Sequence, residues 1–416
     1  MTLSEQDYCY ATTAPSGDSL YRIALISVHG CPTAGLGSKD TGGMNVYIRK
    51  VSQELSKRGI YVDIFTRYHD PNDPQVEMVA ERARVIHISA GNFSDDKTVI
   101  PYHLPEFVCR LLEYTKQEQL SYDLIHSHYW LSGRVGTILA RHWNIPHVAS
   151  FHTLAEIKRR ARIGEIEPEE RTRGEKKVIH SADTIIAFSQ HEKDAMIRLY
   201  DAPSQNIEVI PCGVDVNLFR PLDNGLAKRK LGLQDNKVVL YVGRLEPLKG
   251  VDILLRAVAQ LEQDDTVRTL IVGGDMEGDL EMNRLQSLSQ ELGISANVSF
   301  LGRMDQQELP IYYNAADICV VPSYYESFGL VALEAMACGT PVIASRVGGL
   351  PTIVKAGFTG YLIPWRCPEP FADVLDILLG NQAIRNAMGK ASRKAALTMQ
   401  WPVVVDNLVD SYHSLL

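Results

Sequence analysis

The most informative segment of this chain reads Ser323-Tyr-Tyr-Glu-Ser-Phe-Gly-Leu-Val-Ala-Leu-Glu-Ala-Met-Ala-Cys-Gly-Thr-Pro-Val-Ile-Ala344. It follows an apolar run of strand length, Ile318–Val321. Apolar residues recur at helical spacing from Leu330, and Gly339 is a typical helix-ending residue. The segment therefore predicts a loop, a short helix and a second buried strand, which is the order of elements in an α/β domain.

The start of this helix has the features of an anion site. The backbone N–H groups of Phe328, Gly329 and Leu330 are expected at the helix N-terminus, where they have no partner within the helix. Glu326 precedes the helix and Glu334 lies inside it, eight positions further on. Carboxylates accept hydrogen bonds from hydroxyl groups, so this arrangement suits a sugar diphosphate.

The nonamer Glu326-Ser-Phe-Gly-Leu-Val-Ala-Leu-Glu334 resembles the two-glutamate signature of retaining glycosyltransferases of family 4, which have the GT-B fold. The resemblance implies that Glu326 holds hydroxyls of the donor sugar and that Glu334 holds the ribose. The nonamer alone leaves another interpretation open, a surface loop with an ordinary capped helix and a solvated Glu334.

The bulk composition predicts a cytoplasmic globular protein. A chain of 416 residues is long enough for two or three domains, and its net charge of −8 gives no general attraction to nucleic acid or acidic lipid. We find no run long enough to span a membrane. Seven scattered cysteines, odd in number and without CxxC spacing, favour a reducing compartment and argue against a disulfide framework or a structural zinc site.

The order of predicted elements indicates two doubly wound domains. A strand at 22–28, a glycine-rich loop at 30–43, a helix to Arg58 and a strand at 61–66 form the first unit of a parallel sheet. The segment 211–221, marked by Pro and Gly, is the predicted linker. Further apolar runs alternate with helical stretches on both sides of it, at 85–88, 124–126, 147–151, 184–188, 207–210, 238–242, 269–272, 298–301, 318–321 and 341–344.

We therefore expect an α/β GT-B protein with two Rossmann-like domains that face each other across a cleft. Residues 1–215 are predicted to bind the acceptor, with 1–20 as a loose extension. Residues 216–400 are predicted to bind the nucleotide sugar, and residues 401–416 to form a helix that packs back on the N-terminal domain.

Two cations follow the predicted strand at 238–242, in the sequence Tyr241-Val-Gly-Arg-Leu-Glu-Pro-Leu-Lys-Gly250. Arg244 and Lys249 can converge on one diphosphate, although two solvated cations on a polar loop remain the alternative. The resemblance implies that they are the family's donor-diphosphate pair. By the same analogy, backbone groups near Gly243 and Arg303 select the base.

On the N-terminal side, Gly42 and Gly43 open a helix and allow close approach of backbone to an anion. One Gly-Gly pair is weak evidence by itself. The resemblance implies that this turn faces the donor phosphates and the acceptor, with Asn45 pointing into the same cleft.

Three histidines lie at the ends of two consecutive predicted strands, in His126-Ser-His-Tyr-Trp130 and Phe151-His-Thr153. Their spacing matches no common zinc pattern and no carboxylate accompanies them, so we predict no metal there. His126 and His128 fit a core or cleft-lining position equally well. The resemblance implies that His152 makes a polar contact to the transferred sugar.

A dense basic stretch covers Lys158-Arg-Arg-Ala-Arg162 and Arg171-Thr-Arg-Gly-Glu-Lys-Lys177. It is typical of a solvated helix face, partly neutralised by the intervening glutamates, but its cations can also hold a phosphate on the acceptor.

Within the family, Gly-Gly-Met-Asn-Val-Tyr, His-Ser-His-Tyr-Trp-Leu-Ser-Gly and His-Thr-Leu-Ala resemble the D-inositol-3-phosphate glycosyltransferases. That subgroup implies four acceptor-phosphate ligands, with Asn45 toward the acceptor ring: Lys97, Tyr129, Thr153 and Arg171. The sucrose-phosphate synthases share much of this frame, and for their sugar-phosphate acceptor the candidates are Lys158 and Arg171. The Gly-Gly-Met-Asn turn departs from the Gly-Gly-Gln expected in the sucrose enzymes, so the acceptor stays open between the two.

The sequence thus predicts a retaining glycosyltransferase that moves a sugar from a nucleotide-diphospho-sugar, UDP-glucose or UDP-N-acetylglucosamine, to fructose 6-phosphate or inositol 3-phosphate. Catalysis is expected to be electrostatic, with no cofactor or metal ion required. Three alternatives remain: a non-hydrolysing nucleotide-sugar epimerase, a glycosyltransferase acting on a lipid or polysaccharide, and a non-catalytic sugar-nucleotide-binding protein.

Overall fold

A computed structural model describes residues 22–34, 42–93, 95, 98–162, 164–261, 266–275, 278–364 and 366–416. The predicted loose extension at 1–20 and the predicted acceptor ligand Lys97 lie outside the described residues. The fold consists of two sheets with helices on their faces.

The first sheet has eight strands in the order β3-β4-β2-β1-β5-β6-β7-β8. Its strands are β1 (Arg22–Ile26), β2 (Tyr61–Arg67), β3 (Val76–Ala80), β4 (Ala83–Ile88), β5 (Leu124–His128), β6 (His147–Ser150), β7 (Thr184–Ala187) and β8 (Ile207–Val209). The helices between them are α1 (Gly43–Lys57), α2 (Ile100–Gln117), α3 (Tyr129–Trp143), α4 (Ala155–Ala161), α5 (Glu169–Ser181) and α6 (Gln190–Tyr200). Strands β5, β6 and β7 are buried along their whole length, as continuous apolar runs predict when helices cover both faces of a parallel sheet.

Strand β3 was not predicted from the sequence. It pairs antiparallel with β4 at the edge of the sheet, while the other pairings of this sheet are parallel. Its residues, Val-Glu-Met-Val-Ala, are exposed or half-buried, and Met78 is 59% exposed. An edge strand that buries little apolar surface gives no run that would mark it in the sequence.

The second sheet has six strands in the order β11-β10-β9-β12-β13-β14, and the pairings between them are parallel. Its strands are β9 (Lys237–Val242), β10 (Val267–Val272), β11 (Val298–Gly302), β12 (Ile318–Val321), β13 (Val342–Ser345) and β14 (Gly360–Ile363). Its helices are α7 (Asn224–Lys230), α8 (Val251–Val258), α9 (Leu280–Glu291), α10 (Leu309–Ala315), α11 (Leu330–Ala337), α12 (Leu350–Ile353), α13 (Pro368–Gly380) and α14 (Gln382–Ala396). Strand β14 is the second one that the sequence did not predict.

The last helix, α15 (Trp401–His413), lies against the first sheet's layer rather than the second. Nη2 of Arg58, just after α1, lies 2.6 Å from Oδ1 of Asp406, and the Tyr412 hydroxyl lies 2.6 Å from Nδ1 of His126 on β5. The chain therefore passes between the two halves twice.

The two segments that connect the halves, one around Val214 and one around Met399, run side by side. The N–H of Val214 donates to the carbonyl of Met399 at 2.9 Å, and the N–H of Trp401 donates back to the carbonyl of Val214 at 3.4 Å. A methyl group on Gly213 would lie 2.7 Å from the Trp401 ring, so glycine permits this close packing.

Among the described residues, no helix combines the length and the apolar character needed to cross a membrane. The six cysteines in that part of the chain are free thiols.

Candidate active site

The Gly-Gly turn of the N-terminal half faces the loops of the C-terminal half. A methyl group on Gly43 would lie 3.1 Å from Cδ1 of Leu330, and one on Gly42 would lie 3.9 Å from Nε of Arg244. The structure thus brings these four predicted donor-site residues, two from each half, together on facing walls of one cleft. The small size of glycine keeps the gap between Gly42 and the guanidinium open.

Lys249 and Glu326 form an ion pair in this cleft, with 2.7 Å between Nζ and Oε2. Their side chains are 20% and 17% exposed, so solvent still reaches the pair. Gly250, directly after the lysine, has φ of +66°, and a methyl group on it would lie 2.2 Å from the carbonyl oxygen of Pro322. The glycine therefore allows the loop that carries Lys249 to approach the loop that carries Glu326.

Arg244 is more open than Lys249. Its guanidinium is 41% exposed and its Nη1 lies 2.5 Å from Oε1 of Glu246, while its carbonyl accepts a hydrogen bond from the Tyr241 hydroxyl at 2.8 Å. A methyl group on Gly273 would lie 1.8 Å from the carbonyl of Gly243, so the loop before Arg244 packs directly against the end of β10. The tyrosine fixes the backbone, while the guanidinium forms an ion pair with Glu246 that is partly open to solvent.

The predicted base-side residue Arg303 lies on the rim of the same half. Its Nη2 is 2.7 Å from Oδ1 of Asp275, and both side chains are about half-exposed.

The Glu326 loop is fixed from both sides. The N–H of Gly349 donates to the Glu326 carbonyl at 3.0 Å, and a methyl group on Gly348, whose φ is +52°, would lie 1.7 Å from that oxygen. On the other side, the buried ring of Tyr325 belongs to the same apolar cluster as Phe151 and Leu154. Tyr325 therefore packs the Glu326 loop against the apolar core of the first half, to which these two residues also belong.

Glu334 is buried inside α11, with 7% of its surface exposed. Burial raises the pKa of this carboxyl to about 7, although hydrogen bonds from the Tyr313 hydroxyl at 2.8 Å and from Nε2 of Gln306 at 3.1 Å favour the ionised form. The interpretation of Glu334 as a solvated surface residue is therefore wrong. Gly329, with φ of +105°, begins the helix, and the neighbouring Phe328 is buried.

His152 adopts a left-handed backbone conformation, with φ of +61°, and its Nε2 lies 3.2 Å from Nδ1 of His128. Burial lowers the pKa of His152 to about 3 and that of His128 well below its usual value, so both rings are neutral at physiological pH. His126 bonds to Ser150 and Tyr412 and is a core residue. A neutral His152 can make a polar contact but carries no proton to donate as an imidazolium.

Three of the predicted acceptor ligands meet on the wall beside His152. Nη2 of Arg171 donates to the carbonyl and the hydroxyl of Thr153, at 3.0 and 2.9 Å. The same guanidinium carbon lies 4.9 Å from the centre of the Tyr129 ring. Arg171 is 4% exposed, so it is a fixed part of the wall rather than a mobile surface cation.

The cations of this wall are already paired with glutamates. Nη1 of Arg171 lies 2.8 Å from Oε2 of Glu167, and Nζ of Lys158 lies 2.5 Å from Oε1 of the same residue. Nε of Arg171 lies 2.7 Å from Oε1 of the buried Glu175. Burial alone would raise the pKa of Glu167, but Arg171 and Lys158 hold it below its usual value. The interpretation of this stretch as a solvated helix face is therefore wrong for Arg171.

Asn45 is 1% exposed, and its Nδ2 donates to the carbonyl of Cys31 at 2.8 Å. Its Oδ1 is buried and accepts no hydrogen bond from the described residues. A buried acceptor without a donor is costly, so a ligand hydroxyl would be a favourable partner.

Sequence reasoning missed several residues that hold these side chains, namely Glu167, Glu175, Glu246, Gln306, Tyr313 and Tyr325. The one signal for Glu167 was the run of glutamates inside the basic stretch. The partners of Glu334 come from a separate loop and helix, and nothing in the local sequence marks them.

Two family models match this chain. The model of group 1 glycosyl transferases matches residues 223–395, and the model of glycosyltransferase family 4 matches residues 41–218. Together they cover most of both halves.

Curated relatives match along nearly the whole chain. The D-inositol 3-phosphate glycosyltransferase of Corynebacterium glutamicum is 40% identical over 405 residues, covering 95% of this chain and 97% of the relative. That of Nocardia farcinica is 42% identical over 404 residues, covering 95% and 90%.

Solved structures also match nearly the whole chain. A sucrose-phosphate synthase of Thermosynechococcus elongatus has a TM-score of 0.89 and 37% identity, covering 95% of this chain and 99% of that chain. The Anabaena protein HepE, in complex with UDP and glucose, has a TM-score of 0.77 at 22% identity, covering 95% and 100%, which supports the fold alone.

These matches confirm the prediction of two Rossmann-like domains and favour glycosyl transfer over epimerisation or ligand binding without catalysis. The chain belongs to the family 4 glycosyltransferases, enzymes of the GT-B fold.

Proposed function

We propose that this enzyme transfers a glycosyl residue from a UDP-sugar to a small phosphorylated acceptor, a sugar phosphate or a cyclitol phosphate, with retention of configuration. The observation that carries the proposal is the convergence of Lys158 and Arg171 on the single carboxylate of Glu167, beside Thr153. A carboxylate held between two cations occupies a place that suits a phosphate.

On the donor side, Arg244, Lys249 and the backbone at Gly329 stabilise the charge that develops on the leaving diphosphate. Fixed cations and a helix N-terminus act most strongly on charge that appears in the transition state. Because two cations already face this position, we assign no cofactor or metal ion to the diphosphate. Glu326 holds the sugar hydroxyls and Glu334 holds the ribose.

The donor carbon is attacked from the face that the diphosphate leaves, and the leaving phosphate oxygen accepts the proton of the attacking hydroxyl. His152, neutral in the working pH range, contributes a hydrogen bond to the sugar rather than a proton transfer. The bond from the sugar to the phosphate oxygen breaks while the bond to the acceptor oxygen forms, so atoms and charge balance.

The names of the relatives support a phosphorylated acceptor. Curated relatives at 40–42% identity are D-inositol 3-phosphate glycosyltransferases, and the solved structure at 37% identity is a sucrose-phosphate synthase. Each of these names includes a small phosphorylated compound, inositol 3-phosphate or sucrose phosphate. Asn45, whose Oδ1 accepts no hydrogen bond from the part of the chain that the structure describes, is a further contact for a ring hydroxyl of either acceptor.

The test is UDP release from UDP-glucose and from UDP-N-acetylglucosamine, each with fructose 6-phosphate, with inositol 3-phosphate, and with neither. We expect release that depends on one phosphorylated acceptor and is at background level with the unphosphorylated parent compound. Release that is equally fast with fructose or inositol would remove the phosphate from the proposal. Product formation without any acceptor would favour the epimerase.

A further inference from the structure

A cysteine and two histidines meet at the strand ends of the first sheet. Ligand atoms of Cys31, His69 and His87 all lie within 4.8 Å of one another. Cys31 follows β1, His69 follows β2, and His87 lies near the end of β4, and these three strands are neighbours in the order β4-β2-β1. The carboxyl ends of parallel strands share one edge of a sheet, which brings the three residues together.

The geometry of the pair Cys31 and His87 fits joint binding of one ion. Their Sγ and Nε2 atoms are 3.4 Å apart. Zinc–sulfur bonds of about 2.3 Å and zinc–nitrogen bonds of about 2.0 Å, at a tetrahedral angle, place the two ligand atoms roughly 3.5 Å apart. The side chain of His87 is fully buried, so this spacing is held by packing.

The hydrogen bond at the other ring nitrogen of His87 fixes its tautomer. Nδ1 lies 2.7 Å from the carbonyl oxygen of Pro74, which can only accept, so Nδ1 carries the hydrogen. The lone pair is therefore on Nε2, the atom that faces Cys31. Metal-binding histidines commonly donate their second N–H to a backbone carbonyl in this way.

Asp73 completes the group. Its Oδ2 lies 2.8 Å from Nδ1 of His69 and 4.0 Å from Nε2 of His87. A thiolate and a carboxylate together neutralise the charge of a divalent ion. One sulfur and two imidazole nitrogens are ligands that zinc accepts readily, while Mg²⁺ and Ca²⁺ prefer oxygen.

We propose that Cys31, His69 and His87 bind a zinc ion, with Asp73 beside them. This ion fixes the segment after β1, to which the side chain of Asn45 is hydrogen-bonded. The link to Asn45 is the hydrogen bond of 2.8 Å from its Nδ2 to the Cys31 carbonyl. Cysteine spacing gave no hint of the site, because its three residues lie at or after the ends of three different strands and include one cysteine.

The test uses Co²⁺ as a spectroscopic probe of the full chain after removal of bound metal by a chelator. We expect one equivalent of Co²⁺ to produce visible d–d bands of a four-coordinate site and a near-ultraviolet thiolate-to-cobalt charge-transfer band. The charge-transfer band is lost in Cys31→Ser and kept in Cys212→Ser, which changes another buried thiol. Absence of the band in the wild type, or its persistence in Cys31→Ser, overturns the proposal.

A second variant keeps the test valid if Cys31→Ser does not fold. His69 is 41% exposed, so His69→Ala should leave the fold intact. We expect it to weaken Co²⁺ binding at least tenfold, whereas His180→Ala, at an exposed histidine on α5, leaves the Kd unchanged. An unchanged Kd in His69→Ala overturns the proposal. In the wild type, added Zn²⁺ also raises the Tm, and it does so less in His69→Ala.

Discussion

Nζ of Lys249 lies 2.7 Å from Oε2 of Glu326, although 77 positions separate the two residues in the chain. The close approach of Gly250 to Pro322 makes this pairing possible. In the function that we propose, this pair would hold a cation beside the donor before any ligand binds, so that little reorganisation would be needed when the diphosphate leaves.

We expect Lys249→Ala to lower kcat by about 10²–10³, because the loss of one group that stabilises a developing oxyanion typically has this effect. The matched control is Lys50→Ala, since Lys50 is also 20% exposed and also pairs with a carboxylate, Asp215, at 2.9 Å. The measurement is the steady-state rate of UDP release with saturating acceptor. A kcat near the wild-type value in Lys249→Ala would exclude Lys249 from stabilising the leaving diphosphate.

The position of Glu326 depends on a glycine that contacts its carbonyl. We expect Gly348→Ala to destabilise the fold and to lower kcat/KM for the donor, because a methyl group there would lie 1.7 Å from the Glu326 oxygen. The control is Gly293→Ala, where φ is also positive, at +72°, but where no atom of the described residues lies within 4 Å of the added methyl group. Backbone strain alone costs about 1–2 kcal/mol. The measurements are the Tm and the kcat/KM for the donor in both variants. Equal losses in Gly348→Ala and Gly293→Ala would contradict the prediction.

Glu167 occupies the place that we propose for the acceptor phosphate. We expect Glu167→Gln to lower the KM for the phosphorylated acceptor by roughly tenfold, equivalent to about 1.4 kcal/mol, because a competing negative charge is removed. The KM for the donor should not change. Glu170→Gln is the control, since Glu170 is 48% exposed and pairs with Arg134 outside this group. A raised acceptor KM in Glu167→Gln would mean that the carboxylate belongs to the binding site itself.

Burial of Glu192 should oppose the gain in stability of the enzyme as the pH rises from about 5 to about 8. Burial lowers the pKa of His126, His128, His147 and His152, so these rings bind fewer protons in the folded state than in the unfolded state and make stability rise with pH. Burial raises the pKa of Glu192 and of Glu334 to about 7, so these two carboxyls bind more protons in the folded state and act in the opposite direction. Glu192→Gln should therefore increase the rise in stability, while Glu113→Gln, at an exposed position, should not. Urea unfolding at pH 5 and at pH 8 measures the difference, and the same rise in the wild type and in Glu192→Gln would refute the assignment.

The sequence predicted the alternation of strands and helices because most strands are buried and read as continuous apolar runs. It also predicted the loops that carry Arg244, Lys249 and Glu326, since each follows such a run. It missed β3 because an exposed edge strand needs no apolar pattern.

The sequence could not predict which charges pair. Whether Arg171 faces solvent or is enclosed by Glu167 and Glu175 depends on how α5 packs. Each glutamate lies four residues from Arg171, and this spacing is compatible with an exposed and with a buried group. The meeting of Cys31, His69 and His87 depends on the strand order, which no local pattern contains.

The two connecting segments, hydrogen-bonded to each other at Val214 and Met399, affect how the two halves of the molecule could move. A single connecting segment would let one half of the molecule swivel about any axis, whereas two adjacent segments joined by hydrogen bonds form a pivot with one preferred axis. Rotation about that line moves the far wall of the cleft most and the pivot least. If the cleft opens and closes about this pivot, the gap between Gly43 and Leu330 would change along a single path and the same contacts would form again on closing.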